Sequence, residues 1–251
     1  MRARTWSALS SLLLVILACG VPEAAAPTAA PPPTQEVQPT QAPPTEIPAT
    51  PTTAPPVIFR DDFDGALAPG WQWLGEDPTH WDLTSTPGHV RIVIQRSNIS
   101  DGEPRNFLVR EAPAGNFEIT TSLRFTPAGA YQVAGLLVYQ TQGNALQFGP
   151  AYAACPGGIG GQCVYYDNFA RGQWIQPNFA TFTGGGSPAY LKLRRMGSSY
   201  TASYSADGST WKEIGTHQND LAPAFVGLVA AQGYASEAPA DFDYFTLEEV
   251  R

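Results

Sequence analysis

The stretch from Ala189 to Gly215 constrains the fold most, because its apolar and polar residues alternate with a period of two. Leu191 and Leu193 share one face of an extended strand, and more polar residues lie between them. Turn residues interrupt the pattern at Met196-Gly197-Ser198 and at Asp207-Gly208, where glycine meets a hairpin's need for a positive φ. The stretch therefore predicts a three-stranded antiparallel meander whose apolar face needs a second layer to cover it.

The same alternation recurs through most of residues 57–251. Phe117–Phe125 is the clearest example, whereas Tyr131–Gln140 and Phe225–Ala231 are apolar on both sides, as central strands are. Roughly a dozen short strands, with no amphipathic helix of useful length, predict an all-β, two-sheet antiparallel β-sandwich. A jelly roll fits better than an immunoglobulin domain, because residues 57–251 are about twice the usual ~100 residues.

Residues 1–18 have the features of a secretory signal peptide. Arg2 and Arg4 precede an apolar run, Leu12–Ala18, that is too short to span a bilayer as a stable anchor. The tetrapeptide Ile16-Leu17-Ala18-Cys19 resembles a bacterial lipobox, in which the cysteine becomes the lipidated first residue. We therefore predict a lipoprotein signal peptide with lipidation at Cys19, and an ordinary signal peptide cut nearby is the alternative.

Residues 19–56 are predicted to be a disordered, Pro/Thr-rich linker. They contain 12 of the chain's 24 prolines and no Lys or Arg. Such a composition cannot bury enough apolar surface to offset the entropy lost on ordering. We expect a stalk that separates residues 57–251 from the membrane in which the lipid is inserted, so the predicted location is the cell surface.

Charge and cysteine content narrow the classes of partner. The chain has 22 Asp and Glu against 14 Lys and Arg, with no basic cluster, which argues against nucleic acid and anionic lipid as ligands. Cys155 and Cys163 form an even pair in a domain predicted to be exported. The segment between them, CPGGIGGQC, is Gly-rich enough to bend back, so we predict a disulfide. The three histidines are scattered, which disfavours zinc.

Ten segments in order along the chain carry a family resemblance: FRDDFDG, WQWLGEDPTHWDL, TSTPGHVRI, NFLVREAP, GNFEITTSLRF, YQVAGLLVYQ, YLKLRR, SYSADGSTW, VGLVAAQG and PADFDYF. Together they resemble the concanavalin A-like domain found at the C-terminus of family 43 β-xylosidases and in proteins of the DUF1349 type. The resemblance covers Phe59–Leu247 and implies a lectin/glucanase-like sandwich with carbohydrate as the ligand class. The sequence departs from the family pattern in two ways, because a catalytic β-propeller is missing and the insert CPGGIGGQC is unusual.

No evident catalytic set accompanies this resemblance. Laminarinase-type sandwiches carry their acid and nucleophile in an ExDxxE motif on one strand, and the motif is missing from the sequence. Glycoside hydrolysis needs two carboxylates about 5–9 Å apart. We therefore expect a surface-anchored, monomeric carbohydrate-binding module without catalysis of its own, and a glycoside hydrolase or a protein-interaction module remains the alternative.

Four aspartates are candidates for a structural calcium site. Asp61 has the strand parity of Phe59 and Phe63, so its carboxylate is expected to lean toward the core, and Asp243 is expected to do the same. Terminal strands of such sandwiches often lie together, so these residues, with Asp62 and Asp241, could surround a cation that prefers oxygen ligands. Pairing with arginines or backbone N–H groups is the alternative for a buried carboxylate.

Aromatic residues near the predicted disulfide are candidates for stacking on sugar rings, with polar side chains beside them to bind the hydroxyls. Of the adjacent Tyr165 and Tyr166, one must face outward by alternation. Trp71, Trp73, Trp81 and Trp211 are instead expected to be part of the fold. The candidate carbohydrate-binding residues are Tyr139, Tyr152, Tyr165, Tyr166, Arg171 and Trp174, with Gln140, Asn144 and Asn168 as further polar partners.

Overall fold

The computed structural model describes residues 57–100, 103–152, 155–157, 161, 163–232 and 236–251. These residues form two antiparallel sheets of eight strands each, with no α-helix, so the predicted sandwich is confirmed. Among them no helix is long and apolar enough to cross a bilayer. The predicted signal peptide, Cys19 and the linker lie outside the described residues.

The first sheet contains both terminal strands of the sandwich. Its order is β14-β13-β12-β6-β16-β4-β3, and β1 also pairs with β16. The strands are β1 (Val57–Asp61), β3 (Trp81–Asp82), β4 (Val90–Val93), β6 (Phe117–Arg124), β12 (Ala189–Met196), β13 (Ser199–Ser205), β14 (Lys212–Gln218) and β16 (Pro239–Glu249).

The second sheet has the order β10-β9-β8-β7-β15-β5-β2, and β11 pairs with the β9 edge that β10 leaves free. Its central strands are the two segments predicted to be apolar on both sides. The strands are β2 (Gln72–Leu74), β5 (Phe107–Glu111), β7 (Val133–Thr141), β8 (Asn144–Ala151), β9 (Cys163–Ala170), β10 (Gln173–Trp174), β11 (Phe179–Phe182) and β15 (Phe225–Ala231).

The predicted meander is β12-β13-β14 at one edge of the first sheet. Leu191 pairs with Tyr204 and Leu193 with Ala202, and all four side chains are buried. Gly208 follows β13 with a φ of 73°, a value that glycine adopts without strain. The alternation in the sequence therefore reports directly which side of this sheet faces the core.

The main core lies between the two sheets. Leu191 and Phe242 of the first sheet and Leu136, Phe148 and Tyr166 of the second belong to one buried cluster. Three of the four tryptophans expected to be part of the fold pack against this cluster: Trp71, Trp73 and Trp81.

The outer face of the second sheet is also apolar. Val133, Leu137 and Val229 form a second buried cluster there, on the face opposite the main core. Ile99 is a member of this cluster, and its segment is held by two backbone hydrogen bonds, from Gly143 N–H to the Ile99 carbonyl and from Gln232 N–H to the Ser97 carbonyl. This segment therefore covers part of the outer face, which explains why β7 and β15 are apolar on both sides.

The predicted disulfide between Cys155 and Cys163 is present. Cys163 is the first residue of β9 and pairs with Ala151, the last residue of β8. The disulfide therefore closes the long connection between these two strands, with a Cα–Cα distance of 6.3 Å.

Candidate functional site

A cavity of about 350 Å³ opens on the outer face of the second sheet, and we call it the aromatic groove. Tyr165 and Phe169 reach it from β9, and Trp174 reaches it from β10, where it pairs with Phe169. Trp174 is 49% exposed, a high value for a tryptophan. These rings give the groove flat apolar surfaces of the kind that bind the faces of sugars.

Asp167 provides a carboxylate among these rings. It is half-buried and lies two residues from both Tyr165 and Phe169, so alternation along β9 directs all three to the same face. Gln147 Nε2 donates a hydrogen bond of 2.9 Å to Asp167 Oδ2, and the Trp174 side chain donates a second. Burial raises the pKa of the Asp167 carboxyl, and these two hydrogen bonds offset part of that effect.

Three further residues reach the groove from loops. Tyr131 is 62% exposed and has a φ of 64°, and backbone hydrogen bonds in both directions between residues 131–132 and Tyr152 hold it in place. Gln232 has a φ of 66° and follows β15. Asn178 also lines the groove, and its buried Oδ1 atom has no hydrogen-bond donor among the described residues. The groove thus combines aromatic surfaces with polar groups.

Two of the sequence-predicted residues, Tyr165 and Trp174, lie together in this groove. The predictions for Tyr166 and Tyr139 need correction, because neither offers a ring face to a ligand. Tyr166 is fully buried in the main core, where its ring contacts Phe148 edge-on at 5.7 Å. Tyr139 is 8% exposed and packs against Phe107 in the second cluster.

The remaining predicted residues are placed elsewhere. Tyr152 is 36% exposed and follows β8 outside the groove lining. Arg171 lines a separate cavity together with Gln140 and Asn144. Asn168 is buried and accepts a hydrogen bond from Asn219. The structure therefore divides the predicted set between two cavities and the core, with Tyr152 exposed outside all three.

Asp167, Tyr131, Asn178 and Gln232 line the groove but were not among the predicted residues. The sequence did contain a signal for Asp167, because it shares the strand parity of Tyr165. No comparable signal marks the other three, because the long-range strand order brings their loops to β9 and β10.

The four predicted calcium ligands do not form a cation site. Asp61 is buried, but its oxygens accept hydrogen bonds from Trp71 Nε1 and from the backbone N–H groups of Phe63 and Ala68. Asp241 pairs with Arg91 at 2.7 Å, and Asp62 pairs with Arg60. No group of three or more His, Cys, Asp or Glu side chains with metal-binding geometry occurs in the part of the chain that the structure describes. The residues therefore do not fit a bound calcium ion.

Asp243 departs from its predicted orientation for a specific reason. A β-bulge between Phe242 and Tyr244 shifts the register of β16 against β6 and breaks the alternation that placed Asp243 with Phe245. The Asp243 side chain is consequently 51% exposed, rather than directed to the core.

Two stacked antiparallel sheets with an open groove on one outer face define a β-sandwich of the concanavalin A-like class. Over residues 60–248, the chain matches the family described as the beta xylosidase C-terminal concanavalin A-like domain. This match covers most of the chain, and the chain belongs to that family.

Three similar proteins are each longer than this chain. A xylan 1,3-beta-xylosidase from a Vibrio species is 28% identical over 180 residues, which are 66% of this chain and 33% of that protein. The GH43 protein BlXynB from Bacillus licheniformis has a TM-score of 0.68 at 22% identity, covering 76% of this chain and 39% of that structure. A xylan beta-1,4-xylosidase from Bacillus halodurans C-125 has a TM-score of 0.64 at 21% identity, covering 82% and 41%. The chain thus spans less than half the length of each of these relatives.

Proposed function

We propose that this chain is a carbohydrate-binding module whose aromatic groove binds saccharide rings without cleaving them. The observation that carries the proposal is the pairing of an exposed Trp174 with the Asp167 carboxylate on one groove surface. The indole packs against the apolar face of a sugar, and the carboxylate accepts hydrogen bonds from its hydroxyls. The Trp174–Asp167 hydrogen bond holds the indole in place, which reduces the entropy lost on binding.

The carboxylate content of the groove supports binding rather than hydrolysis. Asp167 is the one carboxylate among the described residues that line the groove. Glycosidases use two carboxyl groups, one as acid and one as base or nucleophile. A hydrolase is the alternative, since burial raises the pKa of the Asp167 carboxyl, which is the direction that a general acid requires.

Xylan is the saccharide that we propose first. The named relatives include a xylan 1,3-beta-xylosidase and a xylan beta-1,4-xylosidase. The lipobox-like segment at Cys19 and the Pro/Thr-rich linker extend the proposal to a lipid-anchored protein at the cell surface. Replacing Cys19 with alanine should then move the protein from the membrane fraction to the soluble fraction of cells that express it.

The decisive experiment measures saccharide binding by the purified full chain. We expect retardation in gels that contain soluble 1,4-β-xylan or 1,3-β-xylan, and a glycan array tests other polymers. Trp174→Ala should weaken binding about tenfold, because it removes the exposed stacking surface. Phe182→Ala is the matched control, since Phe182 is 44% exposed on β11 but does not line the groove.

Two results would contradict this proposal. If the Trp174→Ala variant binds saccharide as strongly as the unaltered chain does, the groove is not the binding site. If the unaltered chain releases reducing ends from xylan and Asp167→Asn abolishes this release, the protein is a hydrolase instead.

A further inference from the structure

A second cavity, of about 570 Å³, lies beside the hairpin formed by β9 and β10, and we call it the amide cavity. Gln173 and Ile175 line it, whereas Trp174 between them lines the aromatic groove. Successive side chains of an extended segment point to opposite faces, so the two cavities flank the same hairpin. The facing wall is formed by residues 218–221, of which Gln218 ends β14 and the other three follow it.

Three carboxamides of the amide cavity are held by hydrogen bonds within the protein. Asn144 Oδ1 accepts from Arg171 N–H at 2.6 Å, and Asn144 Nδ2 donates to Thr141 Oγ1. Asn219 donates to Asn168 Oδ1 at 2.6 Å and accepts from Leu221 N–H. Gln218 Nε2 donates to Ser199 Oγ at 2.7 Å. These contacts give the cavity a fixed wall, so little ordering remains to be done on binding.

Arg171 is held at the cavity by its backbone. It has a φ of 54°, a conformation that is uncommon for residues other than glycine. Its N–H group is bound by Asn144, and the N–H of the next residue, Gly172, donates to the Gly143 carbonyl at 2.9 Å. The β7–β8 and β9–β10 turns thereby fix each other, and a strained residue that its surroundings hold in this way points to a function.

Four other polar side chains of the cavity have no hydrogen-bond or ion-pair partner within the described part of the chain. They supply a guanidinium, two carboxamides and a carboxylate: Arg171, Gln140, Gln173 and Asp220. The guanidinium only donates, the carboxylate only accepts and the carboxamides do both. A sugar hydroxyl also does both, so this set matches neighbouring hydroxyls of a neutral saccharide. Ile175 and Leu221 provide the apolar surface for its C–H groups.

We propose that the amide cavity is a second saccharide-binding site, which makes the domain bivalent toward a polysaccharide. The inference rests on the proposed function, since it assigns a second unit of the same polymer to this site. Once one unit is bound in the aromatic groove, binding of a second unit of the same chain is intramolecular, and the apparent affinity for the polymer rises.

The test compares a short ligand with a polymer, using the full chain. Isothermal titration with xylohexaose should give two molecules bound per unaltered chain, and one for either Trp174→Ala or the double variant Arg171→Gln/Gln173→Ala. For soluble xylan, the double variant should lower the apparent affinity about tenfold or more, because the avidity is lost. Arg105→Gln is the matched control, since it removes one exposed arginine outside both cavities.

The outcomes separate the two proposals. A double variant that still binds two xylohexaose molecules, or that binds xylan like the unaltered chain, overturns the second site while Trp174→Ala can still support the first. An unaltered chain that binds no xylan and no glycan of the array overturns both. We expect each variant to fold, because the substituted side chains are exposed. Thermal melting of each variant checks this.

Discussion

The outer faces of the two sheets differ in how their polar groups are satisfied. On the first sheet, Glu118 accepts from Lys192 at 3.1 Å and from Arg194 at 2.8 Å, across the β6–β12 pair. Arg91 and Asp241 make a similar pair across β4 and β16. On the second sheet, the outer face carries an apolar cluster and aromatic rings, and Asp167 is the one carboxylate among the described residues that line the groove there.

This contrast indicates which face is available to a ligand. The ion pairs of the first sheet join neighbouring strands, and a ligand would have to break them to reach the charged groups. The groups of the aromatic groove instead include the exposed indole of Trp174, which a ligand can contact without breaking an ion pair.

The largest effect that we expect tests whether close backbone contact shapes the second sheet. A Cβ atom at Gly149 would lie 1.9 Å from the Ala134 carbonyl oxygen and 2.8 Å from its carbon, so Gly149→Ala forces two strands apart. Overpacking of this kind should lower the free energy of unfolding by about 3 kcal/mol. Chemical denaturation measures this loss.

Gly115→Ala is the control for that substitution. Gly115 has open space where its Cβ would lie and no positive φ, so the change should be close to neutral. Equal stability of the Gly149→Ala variant and the unaltered chain would show that the central strands of the second sheet tolerate a wider spacing.

An intermediate effect is expected on the first sheet. Glu118 is 6% exposed, and Glu118→Gln removes its charge and leaves one acceptor oxygen where Lys192 and Arg194 each contact a carboxylate oxygen. Losing one charge-assisted hydrogen bond and weakening the other should cost about 2 kcal/mol, a moderate value because both cations are partly exposed. For a domain of this size that corresponds to a melting temperature lower by about 4–8 °C.

Glu111→Gln provides the matched change on an exposed glutamate of the second sheet, where melting should stay unchanged. Saccharide binding should be the same for both glutamate variants. Weaker binding by Glu118→Gln alone would contradict the assignment of a purely structural role to the outer face of the first sheet.

Much of the fold could be predicted from local pattern. The meander from Ala189, the strand from Phe117 and the Cys155–Cys163 disulfide follow from period-two alternation, from turn residues and from an even cysteine pair. Alternation also predicted that one of Tyr165 and Tyr166 faces outward, but not which one. The choice depends on the pairing of β9 with β8 and β11, which places Tyr166 in the main core.

Long-range features could not be predicted in the same way. The bulge that exposes Asp243 depends on how β16 pairs with β6, and no local sequence pattern predicts it. Tyr131 and Gln232 line the groove, and both have a positive φ outside the strands, where no strand pattern applies. Asp167 was predictable in principle, because it lies two residues from Tyr165 on the same strand.

The smallest effect that we expect concerns the Asp167 carboxylate and sharpens the contrast between paired and desolvated charges. Burial raises the folded-state pKa of Asp167 above its unfolded value, so the folded state binds this proton more tightly. The resulting stabilisation is present at low pH and is lost as the pH rises through the folded-state pKa.

Asp167→Asn removes the charge, and an Asn oxygen still accepts a hydrogen bond from Trp174. The variant should therefore melt at a higher temperature than the unaltered chain at pH 7, and the difference should shrink toward pH 4. Asp64→Asn, at an exposed position, should leave the melting temperature unchanged. A destabilised Asp167→Asn variant at pH 7 would mean that Gln147 and Trp174 hold an ionised carboxylate whose hydrogen bonds outweigh its desolvation.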